Sequence, residues 1–165
     1  MTRWGVHLAL VAAALVLAAT AGGGNGRDQP GSIDLDGKLS GISNFFAPAC
    51  TSVTGVCSRF SIKGTIKGDG VVFIDTIPTA EGLSHAHTVI HTKRGDLTCS
   101  EIAIFDLVGD DHGFVDLCIV TGGTGRYTGA TGYIQEVGTF DFASNVGGGH
   151  YHGRLFFPSD GSRRS

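Results

Sequence analysis

The stretch TGGTGRYTGATG, residues 121–132, is the most distinctive part of the sequence, with five glycines in twelve residues. Glycine-rich loops often bind phosphate, so we compare it first with nucleotide-binding patterns. A P-loop needs a Lys followed by Ser or Thr, and no Lys lies in this stretch. The dinucleotide pattern G-x-G-x-x-G also fails, because Thr128 stands where a third glycine should follow Gly123 and Gly125. No helical pattern follows, so a phosphate-binding loop is excluded.

Outside this stretch, short runs of β-favouring residues alternate with Gly, Asp and Asn, and helical periodicity is almost absent. This pattern predicts an all-β sandwich or an up-and-down barrel. Glycine is abundant, with 27 of 165 residues, and glycines inside strands suit the bends of a small barrel. We predict eight strands: residues 33–42, 59–66, 71–77, 84–92, 97–108, 114–121, 132–142 and 150–157.

Three short segments predict hairpins between these strands. They are KGDGV at residues 67–71, TKRGDL at 92–97 and VGDDHG at 108–113. The third would make strands 97–108 and 114–121 antiparallel neighbours.

The N-terminus has the pattern of a secretory signal peptide, with Arg3, an apolar run and the small residues Ala19-Thr20-Ala21. We therefore predict a signal peptide over residues 1–21, a flexible tether over 22–32, a barrel domain over 33–157 and a disordered tail over 158–165. An uncleaved N-terminal anchor is the alternative. The formal charge of −3 argues against nucleic acid or an anionic membrane as a partner once the signal is removed.

Export predicts that the four cysteines form two disulfides. Three pairings are possible, and we favour Cys50–Cys57, which closes a short loop, and Cys99–Cys118, which would link two neighbouring strands. Thiolate zinc binding is disfavoured because no C-x₂-C spacing occurs.

The segment GGTGRYTGATGYIQEVGTF, followed by GGGHYHGRL, resembles the signature of the allene oxide cyclase and dirigent superfamily, in its bacterial secreted branch of unknown function. The matching positions are Gly122, Gly123, Thr124, Gly125, Tyr127, Ala130 and Gly132. The resemblance implies an eight-stranded antiparallel up-and-down β-barrel, often a homotrimer, whose lumen binds an apolar or aromatic small molecule. It also implies a cofactor-free cyclase or isomerase as the enzymatic possibility. Thr131 stands where plant dirigents usually carry Arg.

Five carboxylates lie in predicted strands and are candidates for acid–base chemistry. A carboxyl facing an apolar lumen would have a raised pKa and could act as a general acid or base. The alternative is that these groups cover the outer wall of the barrel. The candidates are Asp75, Glu101, Asp106, Asp116 and Glu136.

Two His-x-His pairs, His85/His87 and His150/His152, are candidate ligands for zinc or copper if both face the lumen. Alternate residues of a strand share a face, so these pairs lie with Lys93 and Arg154 on the more polar faces. The prediction is therefore that the imidazoles point outward.

Together these patterns predict a secreted β-barrel that binds a small apolar or aromatic molecule, with turnover undecided. An extracellular metal-binding protein that uses the histidine pairs is one alternative. A structural or interaction module with an apolar outer patch is the other.

Overall fold

A computed structural model describes residues 31–107 and 112–158 of the chain. The signal-peptide prediction, most of the tether, most of the C-terminal tail and residues 108–111 of the third hairpin lie outside these ranges. In the part of the chain that is described, no helix is long and apolar enough to span a bilayer.

The eight predicted strands are all present and close into one antiparallel up-and-down barrel, in the order β1 to β8, with β8 paired to β1. A single 3₁₀ turn, η1 (Gly125–Tyr127), lies between β6 and β7. The strands are β1 (Ser32–Phe46), β2 (Val56–Gly64), β3 (Gly68–Ile74), β4 (Leu83–Thr92), β5 (Gly95–Phe105), β6 (Gly113–Gly123), β7 (Thr131–Asp141) and β8 (Val146–Phe156).

The strand boundaries differ from the predicted ones in several places, and two of these differences have a clear physical reason. The Asp69-Gly70 pair was predicted to form the turn of a hairpin, but it lies inside β3, and the chain reverses at residues 65–67. Packing explains this register. The observed register places Gly70 opposite Phe60, and the Phe60 ring occupies the space that a side chain at position 70 would need. Strand β1 is also longer than predicted, because a bulge between Ser40 and Ser43 lets it bend and continue.

The lumen has two different halves. The half near η1 is packed solid by aliphatic side chains, the Cys99–Cys118 disulfide and two buried tyrosines, Tyr127 and Tyr151. The Tyr151 hydroxyl is satisfied there, since it accepts a hydrogen bond from the Ile66 N–H at 3.1 Å and lies 3.2 Å from the Ile66 carbonyl, to which it donates. The other half is not filled.

The stretch at residues 121–132 closes the packed end of the barrel. Gly125 has a φ of +57°, and a Cβ there would lie 2.4 Å from the Arg94 carbonyl oxygen, so only glycine fits. The Thr124 N–H donates to the Asp96 carbonyl at 2.8 Å. This geometry turns the chain so that Tyr127 enters the core, which gives the segment a structural role.

Both predicted disulfides are present. Cys50–Cys57 joins the loop before β2 to that strand, with Cα atoms 5.6 Å apart. Cys99–Cys118 joins β5 to β6 inside the lumen, with Cα atoms 5.4 Å apart. These bonds are compatible with an extracellular protein.

Candidate functional site

The unfilled half of the lumen is a cavity of about 210 Å³. Its wall is mostly apolar and aromatic, and three carboxyl groups lie where it meets the packed half. The lining residues are Ile42, Asn44, Val56, Ser58, Phe60, Val72, Ile74, Ile77, Pro78, Ser84, Ala86, Glu101, Ala103, Phe105, Phe114, Asp116, Glu136, Phe140 and Phe142.

Strand alternation brings the three carboxyls together. Glu101, Asp116 and Glu136 lie on consecutive strands β5, β6 and β7, and Asp116 is directly opposite Glu136 in the register. One carboxylate oxygen from each lies within 4.8 Å of the others. We call these three residues the carboxyl trio.

The trio is buried, with 3%, 8% and 7% of Glu101, Asp116 and Glu136 exposed. Glu101 shares a strand face with Cys99, and Asp116 shares one with Cys118, so the disulfide and two of the acids face the same lumen. These carboxyls therefore form the floor of the cavity, directly above the disulfide.

Burial changes the proton affinity of the trio. Burial raises the pKa of Asp116 to about 12, and its hydrogen bond with Glu101 and the charges of Glu101 and Glu136 act in the same direction. Burial also raises the pKa of Glu136 to about 8, reinforced by the charge of Glu101. Asp116 is therefore protonated at neutral pH, and Glu136 is mostly so.

The hydrogen bonds of the trio are incomplete. Glu101 accepts a hydrogen bond from the buried Thr88 hydroxyl on β4. The Oδ1 atom of Asp116 is buried and has no hydrogen-bond partner among the described residues. A buried polar atom without a partner costs free energy of folding, so this oxygen is a candidate contact for a ligand.

Three of the cavity phenylalanines pack against a glycine directly across from them on the next strand. The pairs are Phe60 with Gly70, Phe114 with Gly138 and Phe140 with Gly147. A Cβ at any of these glycines would come within 2.1 to 2.7 Å of the opposite ring. The rings therefore lie flat against a wall that has no side chain at that point, which leaves the centre of the lumen open.

The other acid–base candidates do not join this site. Asp75 lies one residue beyond β3 and contacts His87 on the outer surface, with 3.0 Å between its carboxylate and Nδ1. Asp106 follows the end of β5 and is exposed. The prediction that both lie in strands is wrong for these two residues, because their strands end one residue earlier.

The two histidine pairs are not brought together. His85 and His87 are exposed on β4, whereas His150 and His152 are exposed on β8. These strands are four steps apart in either direction around the barrel, so the pairs lie on opposite outer walls. The prediction that the imidazoles point outward is confirmed, and one ion cannot be shared by all four.

A further apolar surface covers the outside of β5, β6 and β7. Seven large side chains there are 40% to 54% exposed, and several pair directly across strands, such as Ile102 with Leu117 and Val115 with Val137. We call this surface the outer apolar wall. It consists of Ile102, Ile104, Val115, Leu117, Ile119, Tyr133 and Val137.

The fold and the cavity together define a closed β-barrel with an acidic, half-open lumen. Comparisons with protein-family models, curated proteins and solved structures found no match to the chain. The cavity is therefore the feature from which a function can be inferred.

The sequence identified the three carboxyls of the trio as candidates, but not the aromatic cavity that they face. It missed the phenylalanine lining, because Phe60, Phe114 and Phe140 converge only once the register is known. One signal was present for the acids: Glu101 and Asp116 each lie two residues from a cysteine of the predicted Cys99–Cys118 bond. Residues two apart share a face, so that pairing places both acids on the disulfide's side of the sheet.

Proposed function

We propose that the protein is a secreted barrel that binds a small apolar or aromatic molecule in the open half of its lumen. The observation that carries this proposal is the apolar cavity with the buried carboxyl trio at its floor. Apolar pockets with a few convergent polar groups are typical of small-molecule sites. The resemblance to the allene oxide cyclase and dirigent superfamily favours the same function.

The volume limits the size of the ligand. A dry apolar cavity of about 150 Å³ admits benzene, so 210 Å³ suits one substituted ring. Drug-sized ligands occupy pockets of about 300 Å³ or more. The cavity therefore favours a single-ring molecule over a long acyl chain.

The trio is suited to guide an isomerisation or cyclisation of such a molecule. Glu136, whose pKa is raised to about 8, holds its proton at neutral pH and can donate it to an oxygen of a ligand in the cavity. A carboxylate of the trio then takes a proton from another atom of the same ligand, so the ligand keeps its composition and the trio recovers its proton. This chemistry uses no cofactor.

Titration calorimetry with 4-ethylphenol, a neutral single-ring probe, tests the binding. We expect saturable binding that Ala103→Trp abolishes, because Ala103 lines the cavity. The matched control is Ile102→Trp, whose side chain points outward from the adjacent position. If Ala103→Trp fails to fold, Ala86→Phe fills the same space. Absence of binding, or equal binding by the inward and outward variants, would refute the proposal.

The resemblance also leads us to propose a homotrimer, and the outer apolar wall supports it. Contiguous exposed apolar patches on monomers are usually small, and here they extend over three adjacent strands. Analytical ultracentrifugation checks the assembly. A trimer that Leu117→Lys dissociates is expected, whereas a wild-type monomer at all concentrations would contradict it.

Export is part of the same proposal. The leader pattern and the two disulfides support it. Expression of the full chain with mass spectrometry of the medium is expected to recover a product that begins after Ala21. Retention of the whole chain inside the cell would contradict it.

A further inference from the structure

The cavity carries acidic groups without a matching cation. Three carboxyls line it, whereas none of the lining residues is Lys, Arg or His. Buried charges in proteins are normally paired with an opposite charge or a ligand. The described residues therefore place no cation beside the trio inside the lumen.

The rest of the cavity wall is also suited to a cation. Five phenylalanines line the cavity, namely Phe60, Phe105, Phe114, Phe140 and Phe142. The faces of aromatic rings attract ammonium groups, more strongly when water is excluded. Carboxylates at one side and ring faces around them are the surroundings that bind alkylammonium ligands.

The unpartnered oxygen adds a third, separate observation. Asp116 Oδ1 is buried and accepts no hydrogen bond from the described residues, and 92% of the residue is buried, since 8% is exposed. An ammonium group has three N–H donors, which can reach Asp116 and its two neighbours in the trio.

We propose that the ligand of the lumen carries a protonated amine on a small aromatic or apolar body, with the ammonium group held by the carboxyl trio. This inference rests on the proposed ligand-binding function and specifies the ligand class. A calcium ion fits less well, because Ca²⁺ takes about six to eight oxygen ligands, and the cavity wall around the trio is mostly apolar.

Paired titrations test the inference. 2-Phenylethylamine and 2-phenylethanol have similar size and differ in charge, and calorimetry at pH 7 compares them on the disulfide-intact protein. We expect the amine to bind about tenfold more tightly, because charge-assisted hydrogen bonds are stronger than neutral ones. Glu101→Gln should remove this preference, so that the variant binds the two probes with affinities within about twofold of each other.

The control is Asp75→Asn, which removes a carboxyl on the outer surface and should leave both affinities unchanged. Should Glu101→Gln not fold, Glu136→Gln replaces it. Equal or tighter binding of the alcohol overturns the amine inference and leaves the ligand-binding function standing. If neither of these probes nor 4-ethylphenol binds, both the amine inference and the ligand-binding function are overturned. Thermal stabilisation by Ca²⁺ that Glu101→Gln removes would assign the trio to a metal and also overturn the inference.

Discussion

Replacing Asp116 by leucine should make the protein more stable. In the wild type, Asp116 buries an oxygen that has no hydrogen-bond partner in the described residues, and such an atom costs about 1–3 kcal/mol. Leucine removes that oxygen, and the adjacent cavity leaves room for the larger side chain. We expect the free energy of unfolding at pH 7 to rise by about 1–3 kcal/mol, which corresponds to a Tm increase of about 2–10 °C.

Urea titration followed by far-UV circular dichroism measures the change, and calorimetry gives the Tm. The matched control is Asp75→Leu, which removes a half-exposed carboxylate bonded to His87 and should give no gain. The same Asp116 variant should lose amine binding, since residues retained at a cost in stability commonly serve function. A less stable Asp116→Leu protein would refute this reasoning, because it would show that the carboxyl is a structural requirement.

Three further outcomes are expected. Stability should fall as pH rises from 4.5 to about 8, the ordinary and the raised pKa of Glu136, because the folded state then keeps a proton that the unfolded chain has lost. Glu136→Gln should flatten this slope by up to about 1.4 kcal/mol per pH unit in urea titrations, and an unchanged slope would contradict the raised pKa. Gly138→Ala should destabilise the fold by about 1–3 kcal/mol, since its Cβ would lie 2.3 Å from a backbone carbonyl oxygen; wild-type stability in the same titration would contradict the close packing. Replacing both Cys99 and Cys118 by alanine should cost about 3 kcal/mol for a loop of 19 residues, measured under non-reducing conditions, and a variant as stable as the wild type would show that the bond does not form.

Much of the fold could be predicted from the sequence because strands impose a period of two. Alternation located all eight strands and showed that His85 and His87 share a face. For β5 to β7, it was harder to predict which face of each strand points into the lumen. There the exposed side chains are aliphatic, such as Ile102 and Leu117, while Glu101 points inward. This arrangement reverses the usual pattern of polar residues outside and apolar residues inside. The rule that charged side chains face solvent therefore favoured the outer wall for the acids.

The cavity itself could not be predicted. Whether a lumen is filled depends on which residues meet across strands. Some of these residues are near in sequence, as Phe140 meets Gly147 across a turn, and others are far apart, as Tyr151 reaches Ile66. The hairpin at residues 67–71 shows the same limit. Its Asp-Gly signal is local, whereas the register was decided by the packing of Phe60 on Gly70.

The division of the lumen into a packed half and an open half means that its two ends can be altered independently. Substitutions at open-end positions such as Ile74 or Ser84 should redirect the choice of small molecule without reaching Ile62 or Leu155, which are fully buried in the opposite half. This arrangement makes the barrel a suitable host for engineered binding sites. The packed half would keep its structure while substitutions in the open half change the pocket.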